Sequence, residues 1–351
     1  MNSQSSTYTI IVPIYNSRPY IRRGLECLLK QTNRDCDIIV VDDGSTDGGA
    51  SLIDEIASRS PLIQVIHKKN EGVGKARNDG LQHATGKYVY FMDIDDVLAP
   101  DFLECARLVI DKYHEPDMLA FGFNVSVNGV ADTVSLSNRF IGNHEELAQC
   151  YTAELFNVKY GSGFLWNKLF KREIISRHSI RFGTFRLMED ELFIIDFLKH
   201  TNTVCLCSQA FYTYFIDNAG SSRSRYVPDL FEIIHTVFRE FVDLQKSIGI
   251  TDDEFTNILV HRTFMSIMNG VRYNLFHGKN PLTREEKIQE LRCLKNSGMW
   301  HEILSTDRTL KLEDRLYVSA INRASLAGLR ITTIAFSMLR TIKRTIRKCL
   351  R

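Results

Sequence analysis

The chain of 351 residues is long enough for two domains of ordinary size, and with 44% hydrophobic residues, 25% charged residues and seven Pro it is neither disordered nor fibrous. No run approaches the roughly 18 consecutive apolar residues of a membrane-spanning helix, which excludes a transmembrane bundle. The net charge of +2 hides an asymmetry: no acid follows Asp314 and Arg315 to Arg351 carries nine Lys and Arg, which leaves 35 bases against 42 acids, an acidic body of −7 with a basic tail.

Apolar β-branched runs alternate with helical patterns over the first hundred residues, the signature of βαβ units around a parallel sheet. Strands are predicted at Thr9–Pro13, Asp37–Val41, Ile63–Ile66 and Lys87–Met92, and their near-continuous apolar character requires burial on both faces. Helices are predicted between them at Arg18–Gln31, at Thr46–Ser58 behind a Ser-Thr-Asp cap, and at Gly74–Ala84. A strand near Asp117–Phe123, mixed segments over Asn124–Ile141 and a helix over His144–Phe156 follow. From Pro228 the pattern is helical, at Asp229–Ser247, Asp252–Asn274, Arg284–Asn296 and Arg315–Leu350. The expected division is a first domain over residues 1–218 and a helical region over 219–351.

The eight cysteines form no Cys-x-x-Cys pair, and Met1–Thr7 lacks the charged and apolar regions of a signal peptide, so a reducing cytoplasm is the expected setting. Cys205 and Cys207 share one face of a probable strand, but no His cluster or second pair completes a zinc site; buried thiols are expected there.

In open α/β sheets ligands bind beyond the carboxyl ends of the strands, and those ends carry the polar motifs here. Asp93-Ile94-Asp95 follows the fourth strand, and two carboxylates at that spacing can address one hard cation, Mn²⁺ or Mg²⁺, shared with a substrate phosphate. A capped turn ahead of the next helix accounts for the same residues. Asp42-Asp43-Gly44-Ser45-Thr46-Asp47 ends the second strand, where a carboxylate can accept the imide N–H of uracil or a ribose hydroxyl; Tyr15 can offer an aromatic face to the base. Gly72-Val73-Gly74-Lys75-Ala76-Arg77 imitates a phosphate loop but lacks its first Gly and its metal-binding Ser or Thr, which leaves Lys75 or Arg77 near a diphosphate as the expectation. Glu189-Asp190-Glu191 opens an apolar helix that runs to about Leu198. Neighbours on a helix diverge by about 100°, so the three cannot all reach one ligand, and acids complementing the helix dipole are the plain alternative.

Taken in order, Ile11-Val12-Pro13-Ile14-Tyr15-Asn16, Val41-Asp42-Asp43-Gly44-Ser45-Thr46-Asp47, Ala76-Arg77-Asn78-Asp79-Gly80, Asp93-Ile94-Asp95-Asp96, Trp166-Asn167-Lys168-Leu169-Phe170-Lys171 and Glu189-Asp190-Glu191-Leu192-Phe193 closely resemble the family 2 glycosyltransferases. The resemblance covers about residues 8 to 216 and is nearest to bacterial enzymes that build capsule, exopolysaccharide, lipopolysaccharide or teichoic-acid sugars. It implies an α/β GT-A (Rossmann-like) domain with a helical C-terminal region. It also implies an inverting, metal-dependent hexosyl or N-acetylhexosaminyl transfer from a nucleotide-sugar, usually a UDP-sugar, with Mn²⁺ or Mg²⁺ on the diphosphate and a saccharide or lipid-linked acceptor. No nucleic-acid partner is expected. By position, Tyr15 would stack on uracil with Pro13 beside it, Asp42 or Asp43 would hold base and ribose, Asp93 would touch ribose or metal, and Asp95 would ligate the metal. Asp190 would be the general base, supported at the acceptor by Glu189, Glu191, Trp166 and Lys168.

One departure stands out, since many relatives have Tyr-x-Tyr-Arg where this chain has Tyr212-Thr213-Tyr214-Phe215. Arg223 or Arg225 could reach the diphosphate instead, or belong to a solvated basic loop. A haloacid-dehalogenase-type phosphatase also has a strand followed by Asp-x-Asp, but on its first strand, whereas here three strands precede it. A catalytically silent sugar-nucleotide-binding scaffold is the other rival, and the presence of both Asp95 and Asp190 counts against it. In the tail, Ile331, Ile334, Ala335, Met338, Leu339, Ile342, Ile346 and Leu350 recur at spacings of three and four, with Arg340, Lys343, Arg344, Arg347, Lys348 and Arg351 beside or opposite them. That pattern suits an amphipathic helix over residues 316–351 lying on anionic lipid at the inner face of the cell membrane, or a helix packed on the protein's own body.

Overall fold

The computed structural model describes residues 6–156, 163–216, 226–305 and 310–349, with side chains as far as Leu339. Arg223, Arg225 and the side chains of the basic residues from Arg340 onward lie outside the described residues. Contacts divide the chain into two compact units, Met1–Ala219 with Val242–Asp252, and Gly220–Phe241 with Asp253–Arg351.

The first unit opens with β1 (Tyr8–Ile14), α1 (Arg18–Leu29), β2 (Cys36–Asp42), α2 (Gly49–Ala57), β3 (Ile63–His67), α3 (Val73–His83) and β4 (Tyr88–Phe91). These four strands pair in parallel in the order β3-β2-β1-β4. Ile10, Ile11, Val12, Ile38, Val40 and Val89 are all buried, as two-faced burial of β-branched runs requires. Helix α2 starts three residues later than its predicted cap. Thr46 instead donates to Asn16, and the Asp47 carboxylate accepts from the Gly49 amide at 2.8 Å, so the segment between β2 and α2 stays an open loop.

The chain continues through β5 (Val97–Leu98), α4 (Phe102–Lys112), β6 (Met118–Val127), β7 (Val130–Val134), β8 (Arg139–Ile141), α5 (His144–Glu154), β9 (Lys168–Lys171), α6 (Arg172–Arg177), α7 (Glu189–Leu198) and β10 (Val204–Ile216). The sheet extends past β4 as β9-β6-β10-β5, with β9 antiparallel to both β4 and β6 and β10 parallel to β6. The mixed segment after Asn124 thus resolves into a β6–β7 hairpin and the short β8 on β10. β9 runs antiparallel and ends beside Tyr88, at the edge opposite Asp93 and Asp95, and the chain returns toward them through α6 and the segment around Phe182, which Asn78 of α3 holds.

Val242–Asp252 includes the end of α8 (Leu230–Ile248). The second unit holds the start of α8, then α9 (Asp253–Asn269), a π-helical turn over Gly270–Asn274, α10 (Arg284–Lys295), α11 (Gly298–Ser305), α12 (Leu312–Asn322) and α13 (Leu326–Cys349). Local chemistry sets its punctuation: Thr283 and Glu286 form a reciprocal capping box at α10, and Asn274 holds both the amide and the carbonyl of Val227. Phe255, Leu259, Phe264, Leu291, Trp300, Tyr317 and Ile321 are buried.

The single tail helix predicted from Arg315 to Leu350 is two helices. Ala324, at φ 47°, breaks it between α12 and α13. Tyr317, Ala320, Ile321 and Leu329 are buried, so much of the 316–351 segment is packed structure rather than tail. Beyond Leu329 the predicted apolar stripe is exposed, at 68% for Ile331, 47% for Ile334, 61% for Met338 and 48% for Leu339. Among the described residues no helix is long and apolar enough to cross a membrane.

Candidate active site

Two polar clusters lie at the carboxyl ends of the parallel strands. At β2, Asp42 and Asp43 are both buried. The Asp42 carboxylate accepts from the Ser45 amide at 3.0 Å and faces His67 Nδ1 at 2.9 Å, while His67 Nε2 faces Asp54 at 3.0 Å. Burial opposes the Asp42 charge, but the bonds from Ser45 and His67 outweigh it and hold the carboxyl below its usual range; the same bonds, from Asp42 first and then Asp54, hold His67 above its own. The Asp43 carboxylate accepts from the amides of Glu71 and Gly72 at 2.9 and 2.8 Å, which fixes the start of α3. Gly44 follows at φ +76°, where a Cβ would meet the Asn70 amide at 2.8 Å, so this turn requires glycine. Lys68 stands between Glu71 and Asp79, at 2.8 Å from each. Above this braced loop Tyr15 is 51% exposed, and Lys75 is also exposed.

The second cluster joins three elements. Asp93, Ile94, Asp95 and Asp96 form a turn just past β4 rather than a strand end; α1 packs on it so closely that a Cβ on Gly24 would lie 2.5 Å from the Ile94 carbonyl oxygen. Asp95 is exposed, Asp93 half-buried, and Asp96 turns inward to accept from the Tyr212 hydroxyl at 2.6 Å and the Phe215 amide at 2.9 Å. Burial above all pushes the Asp96 carboxyl up to about 8. Helix α7 starts after Met188 at φ 61°, a left-handed conformation for a residue with a Cβ. Asn78 on α3 clasps the backbone of Phe182 through two hydrogen bonds of 2.9 Å, holding the segment that leads to α7.

Arg77 ties these parts together. It is buried, its guanidinium lies over the Phe182 ring, and it reaches Asp93 at 3.2 Å, Glu189 at 3.4 Å and Asp190. Expected near a diphosphate, it is instead committed to carboxylates, because α3 packs against the start of α7 and no other described cation meets those acids within ion-pair distance. Glu189 and Asp190 do converge on one group, and Glu191 lies beside Gly163. Burial, with Glu189 and Asp93 adding to it and Arg77 opposing, pushes the Asp190 carboxyl up to about 8.

Two residues expected at an acceptor are packed inside. Trp166, just ahead of β9, is buried in a stack with Tyr212 at 4.4 Å and Phe164 at 4.5 Å. Lys168 is buried, donates to the Phe164 carbonyl and Asn167 at 2.8 Å each, and burial lowers its amine to about 7. Sequence reasoning passed over His67, Lys68 and Arg23. A strand-end His paired with Asp42 was the legible signal for the first; Arg23 meets its neighbours only through the fold.

Among the described residues no group of three or more ligating side chains gathers as a metal cage. The residues present nonetheless fit a hard divalent ion of the kind that takes one or two protein carboxylates and completes its shell with phosphate and water: Asp95 is exposed, and Asp93 spends Oδ1 on Arg77 and retains Oδ2.

A parallel half-sheet with a braced loop at one strand end and an acid cluster at the next, extended by an antiparallel crossover, is the GT-A architecture of sugar transferases. The chain belongs to glycosyl transferase family 2, which residues 9–193 match. It is 30% identical to EpsH of Bacillus subtilis strain 168 over 232 residues, 65% of this chain and 66% of that one. It is 26% identical to the poly(ribitol-phosphate) beta-N-acetylglucosaminyltransferase TarS of Staphylococcus aureus over 270 residues, 75% of this chain and 45% of that one. The chain thus spans about two thirds of EpsH and under half of TarS. Among solved structures, S. aureus TarS 1–349 in complex with UDP-GlcNAc shares the fold at a TM-score of 0.64 and 20% identity, covering 94% of this chain and 91% of that one. The mannosyltransferase PcManGT of Pyrobaculum calidifontis, in complex with GDP-Man and Mn²⁺, does so at 0.51 and 16%, covering 95% and 88%.

Proposed function

We propose that this enzyme transfers a hexosyl or N-acetylhexosaminyl group, with inversion, from a UDP-sugar to a hydroxyl of a saccharide or lipid-linked saccharide in the synthesis of a bacterial surface polysaccharide. The observation that carries the reading is the Arg77 cluster, which places a carboxylate suited to be a base, Asp190, in one ion-paired unit with Asp93 of the acid turn. Asp190 takes the acceptor proton as the hydroxyl oxygen attacks the anomeric carbon; the new C–O bond forms as the bond to the diphosphate oxygen breaks on the opposite face. A carboxyl raised to about 8 is a stronger base than an ordinary aspartate once ionised, and the ionised share available for that step grows as pH rises toward that value. Glu189 shares the Arg77 charge and steadies the base, and Glu191, Trp166 and Lys168 shape the floor beside it. Tyr15 offers its exposed ring to the base of the nucleotide, with Pro13, Asp42 and Asp43 framing that pocket and Lys75 facing the phosphates.

Asp95 and Asp93 would hold Mn²⁺ or Mg²⁺, which when bound offsets charge on the departing diphosphate. The TarS complex with UDP-GlcNAc and the PcManGT complex with GDP-Man and Mn²⁺ support a nucleotide-sugar donor and a divalent ion. Transfer would reside in residues 1–218. Screening nucleotide-sugars for metal-dependent UDP release, then adding lipid-linked acceptors, tests the reading. Failure to bind UDP or to turn over any nucleotide-sugar would sink it.

The helical region 219–351 would hold the enzyme reversibly on an anionic membrane at the cytoplasmic face. Ile331, Ile334 and Met338 are exposed on the side of α13 away from Leu329 and Thr332, which are buried. That exposure supports membrane docking over self-packing for this part of the stripe. Each base near such a surface adds roughly 1 kcal/mol, and the segment after Met338 is rich in them. The full chain should pellet with phosphatidylglycerol vesicles, not with phosphatidylcholine vesicles, and release in high salt. Removal of 336–351, which spares Tyr317 and Leu329, should leave it soluble; equal pelleting of that truncation would refute the docking.

A further inference from the structure

Arg23 lies on the exposed side of α1, yet its guanidinium is held in place. It stands over the Phe215 ring at 4.4 Å from the centroid, with the Tyr20 ring at 5.8 Å, and it donates from Nη2 to the backbone carbonyl of Asp95. Both supports are themselves fixed. The Phe215 amide donates to the buried Asp96 carboxylate, and α1 is pressed on the Asp93–Asp96 turn one residue away, at Gly24. Ordering so long a side chain costs conformational entropy, and a stacking contact with one hydrogen bond to a neutral carbonyl is a modest return for a full positive charge.

No carboxylate comes within ion-pair distance of Arg23 among the described residues, whereas the buried Arg77 is shared among three. The turn and the start of α7 concentrate negative charge in Asp93, Asp95, Glu189 and Asp190. An anionic ligand approaching Asp95 therefore meets repulsion that Arg77, already engaged, does little to relieve. Arg23 is a pre-ordered, uncommitted cation at that approach, with most of its N–H donors facing no acceptor among the described residues. A planar fork of donors matches phosphate oxygens.

We propose that Arg23 binds the diphosphate of the nucleotide donor, carried to its place by Phe215, the position at which many relatives have an arginine of their own. The proposal rests on the UDP-sugar reading above and adds to it the residue on α1 that grips the phosphates. It also gives Phe215 a duty: the ring is a platform for a cation supplied from another element.

The test is binding of UDP and of uridine, in Mn²⁺, to the full-length protein and its variants, by calorimetry for UDP and ligand-observed NMR for the weaker uridine. Loss of one charge-assisted contact should raise the UDP Kd of Arg23→Ala by about 10- to 100-fold. Uridine, which has no phosphate, should bind Arg23→Ala within about twofold of wild type. Arg23→Gln, which can keep the hydrogen bond to Asp95 without the charge, should lose as much UDP affinity as the alanine variant. Unchanged UDP binding in both variants, or equal losses for UDP and uridine, overturns the proposal, since the second pattern marks a residue that merely braces the turn. Full UDP affinity in Arg23→Gln overturns it too. Wild-type protein that binds neither ligand defeats the donor-site reading itself, an outcome distinct from wild-type binding that Arg23 substitutions leave untouched.

Discussion

Replacing Arg77 by Met keeps an unbranched stem over Phe182 and removes the one described cation that meets Asp93, Glu189 and Asp190. At an effective dielectric of about 20, each contact near 3.3 Å is worth about 5 kcal/mol of attraction, most of which offsets the cost of burying the guanidinium. Breaking a buried pair by removing one partner leaves the other side uncompensated, and about 3–5 kcal/mol of stability should be lost at pH 9. The loss has a sign with pH. The Asp190 carboxyl, pushed up to about 8 chiefly by burial with Arg77 opposing, rises further without Arg77; the variant is therefore least impaired below that value, where the carboxyl keeps its proton with or without Arg77, and weakens as pH rises above it. At pH 6 the deficit should be smaller, with an imperfect volume match contributing about 1–1.5 kcal/mol of it. Urea unfolding followed by tryptophan fluorescence measures this, because Trp166 lies in the first unit and Trp300 in the second, and a Trp300→Phe background isolates the first. A deficit below about 1 kcal/mol at pH 9, or one equal at pH 6 and pH 9, would refute the view that Arg77 neutralises the cluster.

Asp190→Asn should retain the fold and UDP affinity and lower turnover by on the order of 10²–10⁴, the usual contribution of a positioned base; retention of more than about half the rate, with Glu189→Gln or Glu191→Gln inactive, would move the base elsewhere. Because the Asp190 carboxyl is pushed up to about 8, kcat/KM should rise with pH and level off above that value, and a profile flat from about pH 6 to 9 would count against Asp190. Asp95→Ala and excess EDTA should each abolish transfer, while thermal melting of Asp95→Ala stays near wild type because the side chain is exposed; full activity in EDTA would exclude a metal requirement.

What the linear chain determined is what local composition controls. Continuous β-branched runs such as Ile10–Val12 and Ile38–Val41 cannot leave either face in water, so the four parallel strands, their connecting helices and the polar turns at their ends could be read directly. The ordered motifs on those turns were enough to identify the family. The partners of each side chain were decided by the tertiary structure. Arg77 and Asp190 stand 113 positions apart, and no periodicity encodes that α3 packs against the start of α7. Nor does any local pattern say that β9, four residues long, enters the sheet antiparallel beside β4 and takes Trp166 and Lys168 into the interior. Amphipathic spacing located the apolar stripe of the tail, but an apolar stripe has the same spacing whether a neighbouring helix or solvent covers it. That Leu329 and Thr332 of α13 are buried while Ile331, Ile334 and Met338 are exposed comes from the fold, because burial is a property of which surfaces meet, and only the folded chain brings them together.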